Sequence, residues 1–243
     1  MRLLKLSMIL GTAAALLLAL PLASMAVNLN EIRIDQPGSD ASEYAELAGT
    51  AGESLDGITY LVIGDNAGGS GGVDNVTDLT GNVIPADGLF LMAESTFGTG
   101  GLGLTGSVDF TTSLNFENSD NVTHMLVTGM NPAVSSSSDL DTDDDGVIDP
   151  TGDWDGDGLD DGPAFQSIID CVGLVETVGT GDLLYCGTLV GPDGTFVPGH
   201  VYLCTSGWVI GPFGGGEDTP GVNNNCPVPV QESTWGAIKS RHN

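Results

Sequence analysis

Residues 139–161 read DLDTDDDGVIDPTGDWDGDGLDD, and the pattern D-x-D-x-D-G-x-x-D occurs in them twice. The first copy is Asp141, Asp143, Asp145, Gly146 and Asp149; the second, twelve residues on, is Asp153, Asp155, Asp157, Gly158 and Asp161. The spacing suits a hard divalent cation. Calcium takes about six to eight oxygen ligands, which carboxylates at positions 1, 3 and 5 of a tight loop supply by converging on one point. Glycine at position 6 permits the sharp turn. A main-chain carbonyl at position 7 (Val147 or Leu159) and an acid at position 9 (Asp149 or Asp161) complete the sphere with water. Eleven carboxylates fall in these 23 residues with no base among them, so without metal they repel one another. The expected cofactor is therefore Ca2+, two ions of which remove four charges and fold the segment.

Position 12 is Gly152 in the first copy and Ala164 in the second, where a helix-loop-helix hand carries glutamate. The loops instead resemble the calcium loops of thrombospondin type 3 repeats. Their expected role is structural, a metal staple inserted between strands.

Other chemistry is poorly supported. Aspartate and glutamate number 33 against 5 lysines and arginines, a formal charge of −28. That argues against nucleic acid or anionic lipid as partners, since both need basic side chains to neutralise phosphate. Gly68-Gly69-Ser70-Gly71-Gly72 satisfies G-x-S-x-G, but it lies in a glycine-rich loop without the strand and helix of a nucleophile elbow. His124, His200 and His242 are far apart and form no H-E-x-x-H pair; His124 reads as a surface or packed strand residue. Glu43 and Glu46 sit three apart on a predicted strand, which favours opposite faces and rim or structural roles over a paired-acid site. Asn75-Val76-Thr77 and Asn121-Val122-Thr123 are glycosylation sequons.

The first 26 residues read as a signal peptide. Arg2 and Lys5 precede an apolar run, and Ser24 and Ala26 supply the small residues of a cleavage site after Ala26. The remaining chain keeps Arg33, Lys239 and Arg241 against all 33 acids, and no later segment has the length and apolarity to span a membrane. A secreted or cell-surface location permits disulfides. Cys171, Cys186, Cys204 and Cys226 favour the pairing Cys171–Cys186 with Cys204–Cys226, on a hairpin turning at Val178–Gly181. Cys186–Cys204 across Pro192-Asp193-Gly194 is the rival. Residues 227–243 form a proline-containing linker and a short tail, in which Trp235 and Ile238 share a face if Ser233 or Thr234 caps a helical turn. This tail reads as a docking or sorting tag, or as a frayed end.

Short β-type runs separated by Gly, Asp, Asn and Pro position these residues. They cover 29–35, 43–48, 58–64, 73–79, 89–93, 124–128, 168–175, 183–189, 195–197, 201–203 and 208–210. No stretch has a sustained helical period. The 37 glycines serve turns, and the expected class is an all-β antiparallel sandwich or barrel.

Several segments resemble, in order, the lamin tail domain of secreted bacterial proteins. Asn30-Glu31-Ile32, Pro37-Gly38 and Glu43-Tyr44-Ala45-Glu46-Leu47 are similar to its opening. Leu55-Asp56-Gly57, Ile84 to Phe90, Asn118 to Thr123, Ile169 to Gly173 and Thr219-Pro220-Gly221-Val222-Asn223 follow in sequence. The resemblance covers 28–224 and implies an immunoglobulin-like antiparallel β-sandwich over 27–226, with 139–161 and the cysteine-bearing region between Gly179 and Gly216 as insertions. It carries over no catalytic residues and implies a binding or scaffolding role. The expected function is a non-catalytic, calcium-stabilised module for adhesion or extracellular assembly, whose partner is an extracellular protein or polysaccharide. The alternatives are a calcium-dependent extracellular hydrolase acting on phosphoester or polysaccharide, or its accessory subunit, and secretion cargo recognised through Trp235–Arg241.

Overall fold

The chain folds into eleven strands and no helix among the residues that the computed structural model describes, which are 27–65, 69–179 and 183–227. Residues 1–26, read above as a signal peptide, and the tail from residue 228 lie outside them. The strands are β1 (Asn28–Arg33), β2 (Tyr44–Ala48), β3 (Ile58–Gly64), β4 (Gly72–Asp78), β5 (Leu89–Ala93), β6 (Phe110–Thr111), β7 (Val122–Thr128), β8 (Ser167–Leu174), β9 (Leu189–Val190), β10 (His200–Cys204) and β11 (Gly207–Ile210). They form two sheets, in the orders β11-β10-β1-β2-β5-β6 and β4-β3-β7-β8-β9. The sheets pack face to face around Leu29, Ile32, Leu47, Ile58, Tyr60, Val62, Phe90, Met92, Val122, Leu126, Val172 and their neighbours. The protein is an all-β sandwich.

The pairing is antiparallel except at two edges, where the two-residue strands β6 and β9 run parallel to β5 and β8. The expected strand 183–189 is absent. Residues 183–188 run irregularly back along the sheet, and only Leu189–Val190 join it. The disulfides are Cys171–Cys186 and Cys204–Cys226, and the rival Cys186–Cys204 does not form. The expected hairpin behind the first pairing is not the cause, because the segment bearing Cys186 is a loop laid across β8. Residues 195–197 form an isolated bridge, Asp193 to Phe196, instead of a strand.

Both faces of the β3–β7–β8 sheet are covered. Ile58, Tyr60 and Val62 point into the sandwich, whereas Leu61, Ile63, Val73, Met125 and Val127 point outward into a second apolar cluster. The outer cluster is closed by Val134, Leu140, Trp154, Ala164 and Tyr185. β7 and β8 are antiparallel neighbours, so residues 129–166 are an excursion where a short turn would suffice. The Asp-rich segment belongs to that excursion and roofs the sheet. Its energetic reason is the apolar surface of β3 and β7, worth roughly 25 cal/mol per Å2 when removed from water.

Candidate metal centre

The two Asp-rich copies fold into the same loop. In each, the position-1 carboxylate accepts the amides of positions 5 and 6. Asp141 takes Asp145 at 3.1 Å and Gly146 at 2.9 Å, and Asp153 takes Asp157 at 3.0 Å and Gly158 at 2.8 Å. The position-5 carboxylate accepts the amide of position 7, Val147 onto Asp145 at 2.9 Å and Leu159 onto Asp157 at 2.8 Å. The position-9 carboxylate accepts the amide of position 2, Thr142 onto Asp149 at 3.0 Å and Trp154 onto Asp161 at 2.8 Å. The position-9 amide closes each loop on the carbonyl just before it, Leu140 at 2.7 Å and Gly152 at 2.8 Å. Position 6 is left-handed in both, Gly146 at φ 86° and Gly158 at φ 88°, where a side chain would be strained.

These bonds turn the carboxylates inward. Oxygens of Asp141, Asp143 and Asp145 lie within 4.8 Å of one another, as do oxygens of Asp153, Asp155 and Asp161. Asp149 and Asp157 hold their loops together but stand outside those two triads. Asp145 beside Asp143 raises its carboxyl above the usual carboxylate range. Crowding of this kind disfavours the charged form and is relieved by a cation. The donors are all oxygen, the set that suits calcium or magnesium and not zinc or copper. The Val147 and Leu159 side chains are exposed, so only their main chain faces the loops' chemistry.

The loops differ in their surroundings. Asp141 is fully buried, and the Tyr185 hydroxyl donates to its Oδ2 at 2.8 Å. Tyr185 adjoins Cys186, so the first loop is bound to β8 through the Cys171–Cys186 disulfide. The second loop is exposed at Asp153, Asp155 and Asp157, and is held by Trp154. The indole lies in the outer cluster, donates Nε1–H to the Gly162 carbonyl at 2.8 Å, and its main-chain carbonyl accepts the Ser138 hydroxyl at 2.8 Å. The residues at position 12 are spent on this packing. A Cβ on Gly152 would stand 2.4 Å from the Trp154 ring, and Ala164 is buried in the cluster.

The outer face of the other sheet carries a buried polar network that the strand alternation does not reveal. Glu31 Oε1 accepts the Tyr44 hydroxyl at 2.5 Å and the Thr219 amide at 2.9 Å, and lies 2.8 Å from His200 Nε2. Arg33 pairs with Asp218 through Nε and donates to the carbonyls of Asp35, Pro212 and Phe213. Glu46 accepts the Gly221 amide at 2.5 Å and the Asn30 side chain at 2.7 Å. Together these tie residues 212–224 across the sheet as a strap. Ligand atoms of Glu31, His200 and Asp218 also come within 4.8 Å of one another; there His200 is bonded to Glu31, and Asp218 is paired with Arg33. The signal available in the sequence was the acid–base–acid order Glu31, Arg33, Asp35 on a strand of an otherwise nearly base-free chain.

The remaining candidates bond within the fold. Ser70 Oγ accepts the Leu183 amide at 2.9 Å. His124 is fully buried on the inner face, 2.7 Å from the Tyr60 hydroxyl, and burial pushes its pKa down to about 3, so it is neutral and far from the acidic loops. Asn75 donates to the Ser113 and Leu114 carbonyls, and Asn121 to the Thr177 carbonyl; both are buried, so neither sequon is accessible in the folded protein. The chain matches no family model, no curated protein and no solved structure. What the site does rests on its own geometry.

Glu43 and Glu46 are buried and serve different neighbours, Glu43 accepting the Phe116 amide at 3.2 Å. Burial raises Glu43 to about 8 and Glu46 to about 7. Below the ordinary glutamate value both are protonated in the folded and unfolded chain alike. As pH rises toward those values the unfolded chain ionises first, so stability falls between about pH 5 and 8. Denaturant melts across that range, at fixed saturating calcium, are expected to show this decline. Glu43→Gln, which keeps an acceptor for Phe116, is expected to flatten its upper part. A stability that climbs through pH 5–8 in both proteins would contradict the assignment.

Proposed function

We propose that the protein is a secreted or cell-surface, non-catalytic binding module of the lamin tail type, whose Asp-rich excursion holds two structural calcium ions. The observation that carries the calcium reading is the repetition of one hydrogen-bonded loop geometry at two places twelve residues apart. Chance acidic clusters have no reason to share main-chain conformation. The ligands of the first ion are Asp141, Asp143, Asp145, the Val147 carbonyl and water held by Asp149. Those of the second are Asp153, Asp155, Asp157, the Leu159 carbonyl and Asp161.

The lamin-tail reading is supported by the way its opening and closing segments meet. Asn30, Glu31, Tyr44 and Glu46 bond to Asn224, Thr219, Asp218 and Gly221. Two disulfides suit an oxidising compartment. No helix among the described residues is long and apolar enough to cross a membrane. The non-catalytic reading is supported by Glu43, Glu46 and His124, each committed to an internal partner. Such a module acts by presenting its surface to an extracellular protein or polysaccharide.

Calorimetric titration of the metal-stripped chain from residue 27 is expected to show about two calcium ions at roughly 0.1–1 mM affinity. Asp143→Ala with Asp155→Ala is expected to abolish both. No heat at millimolar calcium overturns the reading.

A further inference from the structure

An apolar groove lies on the outer face of β8, between the first acidic loop and the Cys171–Cys186 disulfide. Its volume is about 470 Å3, and its walls include Val147, Pro150, Phe165, Ile168, Leu184 and Cys186. Val147 is 63% exposed and Ile168 44%, so the groove opens to solvent between large apolar side chains. A Cβ on Gly173 would stand 2.8 Å from Leu189 and 3.1 Å from Leu184, so these two leucines close over β8 and carry the apolar surface on to β9. A continuous apolar surface of this kind marks a place where something docks.

The groove adjoins an incomplete sheet edge. β9 pairs with β8 only at Gly173 and Leu174, because residues 183–188 reach it across the outer face, with Leu183 and Tyr185 in the outer cluster. Among the described residues no strand pairs with Ser167–Cys171 on that side, and Ser167 and Ile168 are exposed. A segment laid there in extended form continues the line of β9 and turns every second side chain toward the groove. The rim sets its charge. Asp149 lines the groove, and Asp143, Asp144 and Asp145 stand on the loop that forms one wall. Even with one calcium bound, the five carboxylates from Asp141 to Asp149 leave that rim negative. Among the described residues Arg33 is the one lysine or arginine, and it is buried, as are His124 and His200. The described surface of a second copy therefore brings only like charge, and the complementary cations come from a different protein.

We propose that the β8 edge and this groove bind an extended segment of another extracellular protein, with bulky apolar residues at alternate positions and lysine or arginine on either side of them. The main chain of the segment pairs with Ser167–Cys171, its apolar side chains pack against Val147, Ile168 and Leu184, and its flanking cations reach the acidic rim. The inference rests on the binding-module reading and names the partner's chemistry, but the groove and its charge do not depend on the metal reading.

The probe is a fluorescein-labelled peptide, Arg-Arg-Leu-Ser-Leu-Ser-Leu-Arg-Arg, titrated by anisotropy with the chain from residue 27. Millimolar calcium and about 0.15 M salt keep the acidic loops in place and screen charge attraction beyond roughly 8 Å. Saturable binding is expected. Replacing the three leucines of the peptide by serine keeps its charge and is expected to weaken binding at least about tenfold, equivalent to about 1.4 kcal/mol. Ile168→Ser, at an exposed position, is expected to weaken it about as much with the melting curve unchanged. N-methylation of one alternate set of peptide amides is expected to abolish binding, and of the other set to leave it, because only one set faces β8. A blank titration, equal binding by the serine peptide, indifference to Ile168→Ser, or both methylated peptides behaving alike would overturn the proposal. Dimers in sedimentation that Ile168→Ser dissolves would assign the groove to a second copy instead. Calorimetry with calcium on the same preparation keeps the two readings apart: calcium binding beside a blank peptide titration overturns the groove alone, and peptide binding without calcium heat overturns the metal alone.

Discussion

Arg33→Met is expected to destabilise the protein by about 3–5 kcal/mol, the usual cost of removing one partner from a buried ion pair. Arg33 is 1% exposed and its guanidinium serves four acceptors, the Asp218 carboxylate and the carbonyls of Asp35, Phe213 and Pro212. Methionine fills much of the volume but leaves a buried carboxylate without its cation, and carbonyls without donors at about 1–3 kcal/mol each. Lysine does not rescue, because a point charge cannot span acceptors set around a planar fork. The effect concentrates on the strap, so proteolysis within residues 212–224 should accelerate before the sandwich itself melts. Asp218→Asn in the Arg33→Met background is expected to recover part of the loss, since it removes the stranded charge. Urea melts of the two single variants and the double variant give this cycle. A cost below about 1 kcal/mol for Arg33→Met would mean that the strap is held by its apolar contacts instead.

The strand pattern was legible because the inner faces obey the alternation rule. Ile32 on β1 and Ile34 just past its end, and Tyr60 and Val62 on β3, are where period-two reading places them. The same rule misled on the outer faces. Alternation assigns Glu31, Arg33 and Glu46 to solvent, and they are buried because residues 212–224 fold back over them. Leu61 and Ile63 on β3 were equally uninformative: an unbroken apolar strand signals two covered faces without saying what covers the second. The cover is the Asp-rich excursion, whose few apolar residues, Leu140, Trp154 and Ala164, are dispersed among carboxylates and show no period. The turns of the loops were legible locally, since glycine at position 6 is left-handed in both copies, but the carboxylates gather at positions 1, 3 and 5 only in the first copy and at 1, 3 and 9 in the second. Cysteine pairing emerged for a different reason than the hairpin, because a loop crossing β8 brings Cys186 to Cys171 without any strand pairing.

Chelation of calcium is expected to lower stability by about as much as losing Arg33, and for a separate cause. At roughly 10 mM calcium and affinities of about 0.1–1 mM, each ion that binds only the folded chain contributes about 1.4–2.7 kcal/mol, or about 3–5 kcal/mol for two. The loss does not stay in the loops. Leu140 and Trp154 lie in the cluster that covers Leu61, Ile63, Met125 and Val127, so releasing the acidic segment bares an apolar sheet face. Chelated protein should therefore bind a hydrophobic dye and lose the burial of Trp154, seen as a red shift in its fluorescence. The first loop should outlast the second, because Asp141 is buried and bonded to Tyr185 whereas Asp153, Asp155 and Asp157 face solvent. Asp155→Ala is thus expected to cost one ion and expose Trp154, while Asp143→Ala costs the other ion but leaves its loop braced by Tyr185 and the disulfide. Sodium chloride at matched ionic strength separates metal binding from screening: relief of repulsion alone would be reproduced by the salt, and ligation would not. Melting temperatures that follow ionic strength and ignore calcium would reduce the twin loops to a roof held by Trp154 and Leu140 alone.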